Sequence, residues 1–243
     1  MPDANRHTQP SEPLASDPLV LLVPGLDNSG PGHWQSLWEQ QREDCLRVEL
    51  GQWQHPHRNS WVNQLNLAIR SANHPDASHS PKRPIVLVGH SLGCLAVAWW
   101  AALEGAEAGD LVAGALLVAP PRVEKHAPDV RLVSFAPTPL EPLPFPSILV
   151  ASRDDPHISL RAARRLAQHW GSTFADAGAI GHINAESGLA DWPFGLSLLD
   201  QLVSGARTSS SHPDGIAPGA AVRTGEAFRL AHEREASPAR LPE

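Results

Sequence analysis

Features that define several protein classes are scarce or absent in this chain of 243 residues. It has only two cysteines, Cys45 and Cys94, and neither lies in a C-x-x-C or Cys/His spacing, which excludes a disulfide scaffold and a zinc fold. The longest apolar runs, 94–103 and 111–121, are about half as long as a membrane-spanning helix, so we expect no such helix. Residues 1–17 lack the basic segment and apolar core of a secretory signal, so the expected location is the cytoplasm.

Basic residues are fewer than acidic ones: the chain has 19 Lys and Arg and 26 Asp and Glu, which gives a net charge of −7. No basic stripe is available for a phosphate backbone, so nucleic-acid binding is not expected. The chain contains neither G-x-G-x-x-G nor G-x-x-x-x-G-K-[ST], the glycine patterns that hold nucleotide phosphates. His55 and His57 form an H-x-H pair, but no third ligand follows at a recognised spacing. We therefore expect no cofactor and no metal site.

The composition changes near both ends of the chain. Residues 1–17 and 204–243 are rich in Ser, Pro, Ala, Gly and charged side chains, whereas all eight tryptophans lie between Trp34 and Trp192. The end segments have too little apolar surface to offset the entropy of ordering them. We predict one folded domain over 18–203 with disordered segments on either side.

Within that domain, short apolar runs alternate with amphipathic stretches, which predicts parallel strands buried on both faces by crossover helices. The predicted strands are 19–23, 47–50, 85–88, 115–119, 148–151 and 173–175, and the predicted helices are 32–42, 59–71, 91–104, 159–170 and 191–203. The segment 122–146 is rich in proline, which indicates a loop or a minimal lid. Ligands of such sheets bind at the carboxyl ends of the strands.

A G-x-S-x-G motif, Gly89 to Gly93, lies between the predicted strand 85–88 and the next helix. In a nucleophile elbow the serine occupies a strained strand-to-helix turn with its hydroxyl exposed, and small flanking residues let strand and helix approach. Gly89 and Gly93 supply that room around Ser91. The alternative is that Ser91 only caps a helix in a glycine-rich turn.

A serine hydroxyl is a poor nucleophile unless a base accepts its proton and a third group orients that base. Asp154 and Asp155 follow one predicted strand, and His182 follows the last one. We favour Asp155 as the acid and His182 as the base, with Asp154 and His157 as the alternatives for these two roles. Serine, acid, histidine is the chain order expected of an α/β-hydrolase, so we predict that fold, with a mainly parallel six-stranded sheet, helices on both faces and a minimal lid.

A tetrahedral intermediate needs two preorganised N–H donors for its oxyanion. The backbone N–H groups of Leu92 in the elbow and Leu26 in the loop after the first strand are the candidates. Three tryptophans near the loops around the site, Trp34, Trp53 and Trp192, are predicted to bind an apolar part of the substrate. The alternative for each of them is a place in the core.

The chain resembles the family of YdeN and retinoblastoma-binding serine hydrolases, small α/β-hydrolases with little or no lid. The resemblance spans nearly all of residues 19–203 and depends on the segments 23–25, 32–34, 89–93, 152–156, 181–188 and 191–193. It implies serine-hydrolase chemistry on esters, amides or peptides, with Ser91 as nucleophile, Asp155 as acid and His182 as base.

A vertebrate member of that family is associated with the retinoblastoma protein through an L-x-C-x-E motif. The corresponding stretch here, 92–96, is Leu-Gly-Cys-Leu-Ala and lacks the final acid. That partner is therefore not expected, and the sequence specifies no other protein partner.

We predict a serine hydrolase that cleaves a small soluble ester or amide through an acyl-enzyme on Ser91. Two alternatives remain from the sequence: an acyltransferase that uses the same three residues, since fold and triad are shared, and a non-catalytic binding protein that has kept the scaffold.

Overall fold

The computed structural model describes residues 18–73, 83–124, 127 and 129–210. Its centre is a sheet in the order β2-β1-β3-β4-β5-β6, and every neighbouring pair of strands is parallel. The strands are β1 (Leu19–Val23), β2 (Cys45–Arg47), β3 (Ile85–His90), β4 (Gly114–Val118), β5 (Ser147–Ala151) and β6 (Thr173–Asp176). This confirms the predicted six-stranded parallel sheet.

Helices cover both faces of the sheet. The α-helices are α1 (Trp34–Gln41), α2 (Arg58–Asn73), α3 (Leu92–Glu104), α4 (Glu107–Leu111), α5 (Leu160–Trp170) and α6 (Pro193–Ser210). Helices α1 and α6 share one apolar cluster with the sheet, whereas α2, α3, α4 and α5 share the other. The sequence of β1 is continuously apolar because both of its faces are buried. Leu19, Leu21 and Val23 pack in one cluster, and Val20 and Leu22 pack in the other.

The second strand lies two residues earlier than predicted. We expected it over 47–50, but Cys45 pairs with Val20 and Arg47 pairs with Leu22. Strand β2 is a three-residue edge strand whose middle residue is exposed, so pairing with β1, and not an apolar run of its own, determines where it lies.

The last helix is longer than predicted. We expected it to end at Val203, but α6 continues to Ser210 because Ala206 still packs beneath the sheet, one turn after Leu202 and Val203. The boundary that we placed at 203/204 therefore lies inside a helix. The rest of the predicted tail, 211–243, and the segment 1–17 lie outside the described residues.

The described residues of the proline-rich segment include one short regular element, a 3₁₀ helix over Val130–Phe135. Helices α3 and α2 hold this element in place. The carbonyl of Phe135 accepts the indole N–H of Trp99 in α3 at 2.8 Å, and the Phe135 ring packs edge-on against Trp61 in α2. Within the described ranges, no helix is both long enough and apolar enough to cross a bilayer.

Candidate active site

Ser91 lies at the turn between β3 and α3 with a strained backbone, φ 50° and ψ −122°. Its N–H donates to the carbonyl of Val118 in β4 at 2.9 Å, which ties the turn to the sheet. The turn depends on glycine: a Cβ at Gly93 would lie 2.6 Å from the carbonyl oxygen of Pro24, and one at Gly89 would lie 3.1 Å from the Cα of Cys94. The geometry is that of a nucleophile elbow.

The structure brings Ser91, His182 and Asp155 together from three different loops. His182 Nε2 lies 2.8 Å from Ser91 Oγ, and His182 Nδ1 lies 3.0 Å from both carboxylate oxygens of Asp155. A carboxylate only accepts hydrogen bonds, so Nδ1 carries a proton and Nε2 is free to accept the serine proton. The Asp155 side chain is fully buried and that of His182 is 11% exposed.

Asp154 occupies a different position from its neighbour. It is exposed, and its carboxylate accepts the hydroxyl of Ser152 at 2.7 Å and the N–H of Gly181 at 2.8 Å. Hydrogen bonds from Ser152 and Gly181 hold the pKa of Asp154 below its ordinary value. This carboxylate therefore tethers the loop of His182 but makes no contact with the imidazole ring in the described structure.

His157, the other candidate base, lies beside His182 and not beside the serine. The two rings are 4.1 Å apart, and the backbone N–H of His157 donates to Asp155 at 2.8 Å. Its Nδ1 is buried without a hydrogen-bond partner among the described residues. Burial and the neighbouring His182 lower the pKa of His157, so this ring is neutral at pH 7.

Two more histidines line the far side of His182, and sequence reasoning did not place them there. His90 donates its Nε2–H to the carbonyl of His182 at 3.1 Å, and the ring of His33 packs edge-on against that of His90 at 4.6 Å. Burial lowers the pKa of His33 to about 4, assisted by the charge of Arg47, and burial also lowers the pKa of His90. The sequence signal for His90 was its place beside Ser91 in the elbow, which indicated packing or hydrogen bonding under the turn, and the signal for His33 was its place next to the first loop.

The two predicted oxyanion donors lie on adjoining segments. Leu92 is the first residue of α3, where N–H groups have no partner inside the helix, and the Ser91 side chain does not cap that helix. The first loop passes very close: a Cβ at Gly25 would lie 2.8 Å from Ser91 Cβ and 3.3 Å from the nitrogen of Leu92. Leu26 follows Gly25 directly, so its backbone also adjoins the elbow.

The predicted substrate-binding role is wrong for two of the three tryptophans. Trp34 is 1% exposed and Trp192 is 3% exposed, so neither offers a surface to a ligand. They pack against each other at 5.1 Å beneath the loop of His182, because α1 and α6 cover the same face of the sheet. The indole N–H of Trp34 donates to the carbonyl of Ile183 at 2.8 Å, and Ile183 has a strained φ of 51°.

Trp53 lies elsewhere and is half-buried. Its carbonyl accepts the N–H of Asp27 at 3.0 Å, so it adjoins the loop that carries Leu26. Of the three tryptophans, Trp53 is the one beside the first loop with part of its surface exposed.

Across the described residues, no group of three or more His, Cys, Asp or Glu side chains is placed to hold a metal ion. The H-x-H pair of His55 and His57 is exposed in the loop before α2. Cys45 and Cys94 are both buried free thiols.

Comparison with known proteins identifies the family. A family model described as serine hydrolase matches residues 20–201. The chain is similar to a putative YdeN-like hydrolase from Pectobacterium atrosepticum, with 30% identity, a TM-score of 0.65, and coverage of 78% of this chain and 92% of that chain. No curated protein sequence matches the chain significantly.

Two more distant structures share the fold. The ydeN gene product from B. subtilis has 20% identity and a TM-score of 0.58, and the match covers 78% of this chain and all of that one. Est1E from Butyrivibrio proteoclasticus has 12% identity and a TM-score of 0.58, with 82% and 91% covered. The fold is the predicted α/β-hydrolase fold, and the chain belongs to the YdeN-like serine hydrolase family and is an enzyme with hydrolase activity.

Proposed function

We propose that this hydrolase cleaves a small ester or amide through an acyl-enzyme on Ser91. The observation that carries the proposal is the 2.8 Å contact between His182 Nε2 and Ser91 Oγ, in which the other ring nitrogen is already held by Asp155. A serine activated in this way can attack a carbonyl carbon.

The steps follow from the geometry. Ser91 Oγ attacks the substrate carbonyl while its proton moves to His182 Nε2, and the negative charge of Asp155 stabilises the imidazolium that forms. The backbone N–H groups of Leu26 and Leu92 donate to the oxyanion. As the intermediate collapses, His182 returns the proton to the leaving alcohol or amine. A water then attacks the acyl-enzyme by the same route and releases the acid.

The surroundings of the first loop favour a small apolar substrate. Leu26 and Trp53 are partly buried side chains packed against the core, and we propose Trp53 as the residue that contacts the apolar part of the substrate. The 3₁₀ helix over 130–135 lies beside this loop, since Arg131 bonds to Asp27 at 3.0 Å, and such a short element offers little structure to enclose a long acyl chain.

Turnover of p-nitrophenyl acetate tests the proposal. We expect Ser91→Ala and His182→Gln to reduce hydrolysis to the rate without enzyme, with the fold retained by circular dichroism. Ser197→Ala is the matched control, because the hydroxyl of Ser197 on α6 donates to the carbonyl of Phe194 in the same helix, and this variant should keep full activity. A Ser91→Ala protein that still turned over the ester would refute the proposal.

Two further expectations stay predictions: the cytoplasmic location and the absence of nucleic-acid partners. The non-catalytic alternative would gain support only if the wild-type protein failed to turn over any activated ester.

A further inference from the structure

A buried glutamine next to the active site, Gln35, has partners for both its amide nitrogen and its amide oxygen, and it has no role in the steps proposed above. Gln35 lies in the first turn of α1 and is 0% exposed. Its amide Nε2 donates to the carbonyl of Val88 at 3.0 Å and lies 3.5 Å from the carbonyl of Val23. Its Oε1 accepts the hydroxyl of Ser29 at 2.7 Å.

These contacts join the two segments that carry the proposed oxyanion donors. Val88 belongs to β3, three residues before Ser91, and Val23 ends β1, where the first loop begins. Ser29 lies in that first loop, three residues after Leu26. A single side chain thus spans from the strand of the elbow to the loop opposite it.

The loop is fixed a second time by an arginine. The carbonyl of Ser29 accepts both the hydroxyl of Ser36 and Nη1 of Arg47 at 2.8 Å. Arg47 also donates to the side chains of Asn28, at 3.1 Å, and Ser36, at 2.7 Å. Glu39 balances its charge at 2.7 Å. Arg47 anchors the loop to β2 and α1, whereas Gln35 is the side chain that, among the described residues, bonds both to this loop and to β3.

We propose that Gln35 is a positioning residue that keeps the loop of Leu26 in register with the elbow, so that the N–H groups of Leu26 and Leu92 meet the same oxyanion. The inference rests on the proposed function, because it concerns the same site. Backbone donors stabilise a transition state only at about 2.7–3.1 Å from the oxyanion, and a displacement of about 1 Å can reduce a rate by about 100-fold.

The first loop packs closely against the elbow, so a small displacement of the loop changes the distance between the two donors. The space between this loop and the elbow would not admit even a Cβ at Gly25, which would lie 2.8 Å from Ser91 Cβ. The loop can therefore move away from the elbow more easily than toward it. Without the amide of Gln35, the loop keeps its bonds to Arg47, Arg131 and the carbonyl of Trp53, none of which belongs to β3. We therefore expect the gap between the two donors to widen when the link is removed.

Two variants remove the hydrogen bonds of Gln35 to different extents. Gln35→Leu keeps a similar volume but loses all three contacts, and we expect it to lower kcat by about 100-fold with KM nearly unchanged. Ser29→Ala deletes only the hydroxyl that bonds to Gln35, and we expect a decrease in kcat of about 3- to 10-fold, the effect of a partial displacement.

Ser147→Ala is the matched control. Ser29 and Ser147 are 4% and 5% exposed, and each hydroxyl makes a 2.7 Å bond to another side chain. Ser147 lies at the opposite end of the sheet, at the start of β5. Both variants remove a buried hydroxyl, so we expect similar losses of stability, but only Ser29→Ala should lower kcat.

An aryl trifluoromethyl ketone separates positioning from general loosening. Ser91 Oγ adds to the ketone carbon, the serine proton passes to His182, and the former carbonyl oxygen becomes an oxyanion in the site. We expect the affinity for this ketone to fall in Gln35→Leu and Ser29→Ala by the same factor as kcat/KM. Affinity for the matching alkylbenzene, which has no carbonyl and forms no oxyanion, should stay within about 2-fold of wild type.

The outcomes are distinguishable. If Ser91→Ala retains turnover, the proposed function itself fails. If Ser91→Ala is inactive but Ser29→Ala and folded Gln35→Leu keep wild-type kcat and ketone affinity, the positioning role is wrong and the function stands. If Gln35→Leu does not fold, the comparison of Ser29→Ala with Ser147→Ala tests the inference. Equal kcat values in these two variants would overturn it.

Discussion

The buried histidine His33 provides a prediction whose size follows from the structure. Its Nδ1 accepts the N–H of Gln35 at 3.1 Å at the start of α1, and its Nε2 is buried without a hydrogen-bond partner among the described residues. Burial lowers its pKa from 6.5 to about 4. The folded protein therefore holds His33 neutral at a pH where the unfolded chain binds a proton.

The sign of the effect follows from linkage. Below about pH 6.5 the imidazole of His33 binds a proton in the unfolded state but not in the folded state. The contribution of His33 to the free energy of unfolding therefore falls as the pH drops from about 6.5 to about 4, and it does not change with pH above that window. A shift of about 2.5 units corresponds to about 3 kcal/mol, or about 1 kcal/mol per pH unit in the middle of the window. His90, whose pKa is also lowered by burial, adds to the slope in the same direction.

His33→Asn tests this value, because asparagine is a good N-cap residue that does not titrate. We expect urea unfolding between pH 7 and pH 4.5 to show a slope that is lower than that of wild type by about 1 kcal/mol per pH unit. Trp38→Phe is the control: it removes the 2.6 Å bond from Trp38 to the carbonyl of Asp191, so it should lower stability without changing the slope. Equal slopes in His33→Asn and wild type would refute the reasoning.

Three further predictions concern the active site. Asp155→Asn should reduce kcat by about 10⁴-fold with the fold retained, because an amide cannot hold the required tautomer; stopped or steady-state assays with p-nitrophenyl acetate measure it, and a loss below 10-fold would contradict it. Gly93→Ala should destabilise the protein by about 3 kcal/mol or more, since its Cβ would meet the carbonyls of Val23 and Pro24; an unchanged melting temperature would be the contrary result. Trp34→Phe should cost about 1 kcal/mol and lower kcat more than KM changes, because the indole no longer holds the loop after His182; kinetics equal to those of wild type would show that the bond has no such effect.

The elbow was predictable because its chemistry is local in the sequence. An apolar strand, two glycines around Ser91 and a following helix occupy consecutive positions, and each satisfies a steric need of the turn. Parallel strands were also predictable from apolar runs, because both faces of each inner strand are buried. The edge strand β2 lacks that signature and was misplaced.

Residues whose role depends on tertiary packing were harder to predict. Asp154 and Asp155 share one loop, and only the course of that loop beside His182 decides which carboxylate faces the ring. For Trp34 and Trp192 the sequence correctly indicated proximity to the loops around the site, but the direction of each indole depends on how α1 and α6 pack. The histidines beside His182 come from separate segments, so no local pattern predicts that they meet.

The central claim is that Ser91 is the nucleophile, and covalent labelling tests it most directly. The folded protein would be treated with a fluorophosphonate probe, and the modified peptide would be located by mass spectrometry in wild type and in Ser91→Ala. The account predicts one adduct on Ser91 in wild type and none in the variant. A folded wild-type protein that is not labelled, or is labelled on another residue, would contradict it.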